Sequence, residues 1–416
     1  MLNQDKTLKI FFPVMIAAFA AAGILTDGAA AFTGFLSIQM QPARLINDFI
    51  MTQGFGAALL NSSMVGFIGF LIIRITGTSL SGPTFAAVFT MMGFGLFGKT
   101  PVNILPIIAG VFIASRFAGK TFKEYIIIAL FGTALGPLVS TLAAELGLSA
   151  VASIFAGAAG GLVAGFFLPA VAVAMLHMHQ GYNLYNMGLT CGFLSIFAAA
   201  LLKAGGHPLN GHMNWSTGNP LILVLIIPVI SLAMVLLSLF SGARRSFSGF
   251  LRIQKQPGRL PSDFIDLTSA GGALLNSSFI GLIGSAYILL IGGDFNGATI
   301  GGLLTIMGFG AFGTHLKNSW PVIAGVVLAA LMFGMSLTAP GVILAAIFCT
   351  TLAPIAGQFG IVPGIIAGVM HLLLVSQTGS WQGGINLYNN GFAGGLTATL
   401  IIAVVQWYRT NKNGNR

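Results

Sequence analysis

Charge is scarce in this sequence. Only 6% of its residues are Asp, Glu, Lys or Arg, and just eight are acidic. A soluble globular chain carries about 25% charged residues, so that class is excluded. Cysteine is nearly missing too. Cys191 and Cys349 both lie in apolar stretches and supply neither a disulfide framework nor zinc-ligand spacing. Apolar and polar residues do not alternate with a period of two, which argues against a transmembrane β-barrel. There are no paired carboxylates, no H-E-x-x-H and no nucleophile elbow, and GFGLFG lacks the lysine of a phosphate loop. No enzyme activity, metal site or cofactor is therefore expected.

What the chain has is apolar length. Hydrophobic residues make up 56% of its 416 positions, in unbroken runs such as Ile10–Leu25, Leu221–Phe240 and Phe392–Tyr408. Runs of that length cross or nearly cross a bilayer. The expected fold class is an all-α integral membrane protein, with lipid as one partner. The net charge of +10 does not point to nucleic acid, because the cations sit in short stretches between apolar runs, as topology-setting charges do. Ile10–Leu25 after Lys6 and Lys9 has the look of a signal peptide. It is read instead as a retained helix, because Leu221–Phe240 holds the same place at the head of a second, near-identical set of motifs.

That second set is plain. Gly34–Ile50 (GFLSIQMQPARLINDFI) and Gly249–Ile265 (GFLRIQKQPGRLPSDFI) agree at twelve of seventeen positions, 215 residues apart. ALLNSS (58–63, 273–278), MGFG (92–95, 307–310) and IAG (108–110, 323–325) recur at the same offset, and NLYN (183–186, 386–389) recurs 203 residues on. A duplication of this length defines two membrane repeats, 1–212 and 213–416.

Each repeat divides into about seven apolar segments. They fall near 8–26, 54–75, 83–98, 102–117, 125–143, 150–176 and 184–204, and near 220–241, 270–292, 297–313, 319–336, 338–356, 359–378 and 386–408. An odd number of crossings brings the second copy in from the opposite side, as in inverted-repeat transporters. With the N-terminus inside, fifteen cations fall on the inner side and only Arg44, Lys99 and Lys203 on the outer, a strong positive-inside bias. The duplicated segment agrees: Ser37 and Met40 of the first copy are Arg252 and Lys255 in the second. Hairpins at both 150–176 and 359–378 would leave six spans per half and undo the inversion. Both termini are expected in the cytoplasm.

Polar motifs inside the apolar runs are the candidate functional groups. Asn61, Ser62 and Ser63 pair with Asn276, Ser277 and Ser278, either lining a solute path or tying helices together. Ser81–Gly98 and Asn296–Gly313 are short and glycine-rich. Thr84, Gly93 and Gly95, with Asn296, Thr299, Gly308 and Gly310, are path candidates if these segments are broken helices that aim free backbone groups at a solute. Asn183, Tyr185 and Asn186, with Asn386, Tyr388 and Asn389, open apolar helices, as a gate or as caps and an aromatic belt. The glycines at GxxxG spacing (161/165, 188/192, 364/368, 391/395) are read as close helix packing. His177, His179 and His371 are the titratable candidates near neutral pH, and all three lack a histidine in the other copy. Arg44/Asp48 and Arg259/Asp263, at i, i+4, are expected to bridge on interfacial helices.

The GFLxIQxQPxRL segment, the ALLNSS run and the G-x-T…MGFGxFG…P-[IV]-I-A-G block together resemble an uncharacterised bacterial membrane-protein family, a domain of unknown function. That resemblance implies a place in the bacterial cytoplasmic (inner) membrane and no particular activity. A weaker resemblance, carried by Ser81-Gly82-Pro83-Thr84 and Asn296-Gly297-Ala298-Thr299, is to the urea-transporter fold that membrane subunits of sodium-pumping redox complexes share. It implies an inverted repeat around a central pore, without its substrate.

The expected function is a transporter or channel for a small polar solute, neutral or a small anion, through a path between the repeats. The lack of mid-membrane carboxylates speaks against a free cation, and half-helix N-termini would favour an anion. The alternative is a membrane scaffold or redox-complex subunit that transports nothing by itself. The sequence permits a homo-oligomer.

Overall fold

Proline, glycine and capping side chains decide where these apolar runs stop being helix. A computed structural model describes residues 4–414 apart from 210 and 212, so Arg416, one of the counted cations, and His212, at the boundary between repeats, lie outside the described residues. The first half contains α1 (Gln4–Asp27), α2 (Ala29–Gln39), α3 (Phe49–Gln53), α4 (Phe55–Ile75), α5 (Gly82–Phe94), α6 (Pro101–Phe117), α7 (Phe122–Gly132), α8 (Gly136–Glu145), α9 (Ala150–His179) and α10 (Asn186–Ala204). The second runs through the same order: α11 (Leu221–Phe240), α12 (Ala243–Ile253), α13 (Phe264–Leu267), α14 (Ala270–Leu290), α15 (Gly297–Phe309), α16 (Leu316–Met332), α17 (Pro340–Phe348), α18 (Ala353–Phe359), α19 (Ile361–Trp381) and α20 (Asn389–Gly414). No strand forms among the described residues. This is an all-helical membrane protein.

Ten stretches among the described residues are long and apolar enough to cross a membrane, five in each half. Of the fourteen apolar segments in the sequence, four fall short. α5 and α15 have 13 residues each, about 20 Å of helix, against a hydrocarbon core of about 30 Å. α6 and α16 have 17 residues each. In place of hairpins at 150–176 and 359–378 there are continuous helices, α9 and α19, of 30 and 21 residues.

Two of the ten crossings are interrupted. Between α7 and α8 the chain tightens into a 3-10 turn at Thr133–Leu135, and between α17 and α18 into another at Cys349–Leu352. Pro137 and Pro354 follow these turns. A proline has no N–H to bond four residues back, and its ring crowds the carbonyl there, so the ladder gives way at that point.

The short helices α5 and α15 form the centre. Every residue of α15 is buried, and in α5 all but Pro83. They pass each other in opposite directions at glycine contacts. A Cβ on Gly93 would lie 2.4 Å from the Gly301 carbonyl oxygen, and one on Gly308 would lie 3.0 Å from Ala86 Cα. Only a residue without a side chain lets two backbones come this close. Packing glycines serve the outer helices in the same way: Gly165 abuts Gly110, Gly368 abuts Gly325, and Gly188 abuts Gly391.

Pro42 and Pro257 close off α2 and α12, so the residues after them are not helical. This corrects the expected i, i+4 bridges. Arg44 pairs with Glu145 at 2.9 Å. Arg259 donates from Nε to the Gln180 carbonyl at 2.8 Å and lies over the Tyr182 ring.

Candidate functional site

The repeated motifs converge on the ends of α5 and α15. Asn61 Nδ2 donates to the carbonyls of Gly95 (2.7 Å) and Lys99 (2.8 Å), and Asn276 Nδ2 donates to those of Gly310 (2.7 Å) and Thr314 (2.8 Å). Gln39 and Gln254, from the duplicated segment, donate in turn to Asn61 Oδ1 (3.1 Å) and Asn276 Oδ1 (2.9 Å). Three motifs far apart in sequence are thus one hydrogen-bonded unit that satisfies the free carbonyls at each short helix's C-terminus. Ser62 donates to the Met92 carbonyl and Ser63 to that of Ile16. Ser278 bonds within its own helix, and Ser277 Oγ has no hydrogen-bond partner among the described residues. All six of these Asn and Ser residues are buried.

The opposite ends of α5 and α15 are capped across the repeats. Thr84 and Thr299 complete capping boxes with Ser81 and Asn296. The backbone N–H of Gly82 donates to Asp263 Oδ2 at 3.0 Å, and that of Gly297 to Asp48 Oδ1 at 3.2 Å. A carboxylate from each half therefore sits on the positive end of the other half's short helix. Burial pushes both carboxyls above the usual range, while hydrogen bonds from Ser216 to Asp48 and from Asp266 and Gly82 to Asp263 oppose it. These helix ends, expected to attract an anion, already hold one each.

Beside α5 lies a cavity of about 1150 Å³ to which both halves contribute. It follows α5 from Pro83 at the open end to Thr90 and Phe94, and Thr305 and Phe309 of α15 complete that wall. Charged and polar side chains gather at its mouth: His177, Gln180, Arg259, Asp263 and Asp266. The deep end is aromatic. Phe94 and Tyr388 have ring centroids 4.7 Å apart, Tyr185 and Phe309 are at 4.4 Å, and Phe131 and Phe348 close the box.

Of the path, gate and titratable candidates, Tyr185, Asn186, Tyr388 and His177 line this cavity. Asn61, Ser62, Ser63, Asn276, Ser277, Ser278, Thr84, Gly93, Gly95, Asn296, Thr299, Gly308 and Gly310 stand behind it, holding α5 and α15. Asn183 and Asn386 reach across the α10–α20 contact to the carbonyls of Gly391 (3.1 Å) and Gly188 (3.4 Å). Asn389 bonds to Thr378 and Gln382. His179 pairs with Asn186 and His371 with Asn390. Among the described residues no group of three or more His, Cys, Asp or Glu could hold a metal ion.

Lys99 requires a correction. Counted among outer charges, it is instead fully buried, donating from Nζ to Tyr388 Oη and lying 4.7 Å from that ring's centroid and 5.6 Å from Phe94's. Its counterpart in the second copy is Thr314. The wall residues Phe131 and Phe348 are not among the motifs singled out from sequence, although FGTALGP (131–137) and FCTTLAP (348–354) repeat plainly. Their spacing of 217 differs from the 215 that aligns their neighbours.

A family model described as "Protein of unknown function (DUF1576)" matches residues 28–204 and 243–407, one stretch in each half. The chain belongs to that family. No curated protein and no solved structure matches it, so the resemblance to the urea-transporter fold gains no support. The ten long apolar helical stretches among the described residues are those of a multi-pass membrane protein, and the family description names no substrate.

Proposed function

We propose that this protein is a transporter that moves a small solute through the central cavity, between two halves in inverted orientation. The observation that carries this reading is a 1150 Å³ cavity, built by both halves, that opens at one end of α5 and stops at an aromatic box near the other. Five crossings per half is an odd number, which brings the second half in from the opposite face. The antiparallel passage of α5 and α15 fits that inversion. So do the two carboxylate caps, Asp263 at the cavity mouth and Asp48 at the far end. With the charge bias of the sequence, the mouth and both termini face the cytoplasm of a bacterial inner membrane.

The far end is closed in this conformation. Residues 213–219, part of the link between the halves, lie over it, tied down by Asn214, Trp215 and Ser216. Open on one side and sealed on the other is what a carrier shows in one state of its cycle. Interrupted helices support the reading further. The breaks at Thr133–Leu135 and Cys349–Leu352 adjoin Phe131 and Phe348 at the deep end of the cavity, where a two-state rearrangement would act.

The test is flux into proteoliposomes of urea, ammonium and small carboxylates, measured against empty liposomes. Flux of at least one solute other than ammonium above background is expected, together with its loss in Thr305→Trp, which fills space beside Phe309. Strict preference for an inorganic cation, or flux indifferent to filling the cavity, would overturn the reading.

A further inference from the structure

The deep end of the cavity is asymmetric in a way the rest of the duplication is not. Tyr185 and Tyr388 occupy equivalent places, and both face the cavity. Behind Tyr185 is a neutral hydroxyl, Thr350 Oγ1 at 3.4 Å. Behind Tyr388 is the amino group of Lys99, which is fully buried. In its charged form that group carries three donors, and among the described residues Tyr388 Oη is its one hydrogen-bond partner. No carboxylate among the described residues pairs with it. Burial holds the Lys99 amine well below the usual lysine range, because a charge in a dry interior without a counter-charge is costly, and an anion arriving beside it offsets that cost and favours the charged form.

Tyr388 stands where it can pass that charge on. Its oxygen accepts from Lys99, so its own proton is left to donate into the cavity, and a hydroxyl polarised from behind donates more strongly. Around it the surfaces are aromatic: Phe94, Phe131, Phe309 and Phe348. Pockets of about 300–1,000 Å³ hold drug-sized ligands. A cavity of about 1150 Å³ is far too roomy to recognise a urea-sized solute by contact. The carboxylates at the mouth, Asp263 and Asp266, lie beside Arg259 at the open end, where water and salt screen them.

We propose that the solute is an amphiphilic organic anion, its anionic head at Tyr388 Oη in front of Lys99 and its apolar body within the aromatic box. This rests on the transport reading only for the word solute. The site itself is tested by binding.

The probes are 1-naphthoate, its neutral amide 1-naphthamide, and the cation 1-naphthylmethylammonium, titrated by calorimetry against the purified full-length protein in nanodiscs. Naphthoate is expected to bind saturably and roughly tenfold or more tighter than either analogue. Lys99→Met should abolish that preference, Lys99→Arg should keep most of it, and Lys203→Met, which removes an exposed cation, should leave it unchanged. Equal binding of the amide, tighter binding of the cation, or no saturable binding of naphthoate would overturn the proposal. Should Lys99→Met fail to fold, the wild-type ranking of the three probes still decides. Naphthoate bound but not transported leaves this site standing and removes the transport reading. Urea flux without naphthoate binding does the reverse.

Discussion

Asp48 and Asp263 are the same residue of the same motif, and the protein treats them differently. Each caps a short central helix of the other half. Asp263 is half-buried at the mouth of the cavity, with Gly82, Ile265 and Asp266 as backbone donors. Asp48 is fully buried, because Ser216 of the inter-repeat link bonds to its Oδ2 through both N–H and hydroxyl. Around it Asn214 pairs with Asn47, Trp215 Nε1 donates to Asp294 at 3.0 Å, and Asn296 donates to the Ser216 carbonyl. Two halves need only one link, so only one end can be covered by it. Whatever symmetry the duplication confers on the scaffold, the link removes from its surface.

The sharpest test of that difference is all or none. With Cys191 and Cys349, both buried, replaced by alanine, Asp263→Cys in the detergent-solubilised protein should react quickly with a water-soluble maleimide and Asp48→Cys should not. Equal labelling would mean that the link does not seal its end. The next effect concerns what the two halves share. Asn61→Leu and Asn276→Leu each strand two buried carbonyls and a glutamine amide, so each should lower stability by roughly 3 kcal/mol or more. Because their geometries match, chemical unfolding in detergent should show losses within about 1 kcal/mol of each other; a large gap would show that the central helices are not held alike.

Smaller effects separate the ends again. Asp48→Ala leaves buried donors on Ile50, Ser216 and Gly297 without their acceptor, at a cost of about 2 kcal/mol, whereas Asp263→Ala should cost about 1 kcal/mol or less because water reaches its donors. Hydrogen exchange over residues 213–219 should rise in the first variant and stay unchanged in the second. Trp215→Phe, which removes a single hydrogen bond to Asp294, should free the link by about 1 kcal/mol. If exchange there is unmoved, apolar packing of Leu209 and Trp215 holds the link down, and the polar contacts do not.

The helices were legible in the sequence almost to the residue. The segment read at 54–75 is α4 at Phe55–Ile75, and that read at 102–117 is α6 at Pro101–Phe117. Which helices cross was less legible. The runs 83–98 and 297–313 are as apolar as any span, but their last residues form turns that end each helix at 13 residues. Hydropathy does not record such turns. The duplicated Asn–Ser motif was visible, with a path and a brace both open to it. The carbonyls of Gly95, Lys99, Gly310 and Thr314 are near it only in space, and they make it a brace. Lys99 misled for a related reason. Beside a run of glycines it reads as a loop cation, and nothing local says that Tyr388, 289 residues away, will cover it.

The sequence by itself determined the medium, the helices and the duplication, because hydropathy and repetition are properties of residues in order. It also determined which polar residues come in pairs. Only the tertiary structure decided what those pairs do. The roles of Asn61, Asp48 and Lys99 depend on which free carbonyls, helix ends and rings arrive beside them from distant parts of the chain. The link's place over one end and the aromatic box at the other arise from the same packing, which brings two nearly equal halves together around two short helices and leaves one of their two ends open.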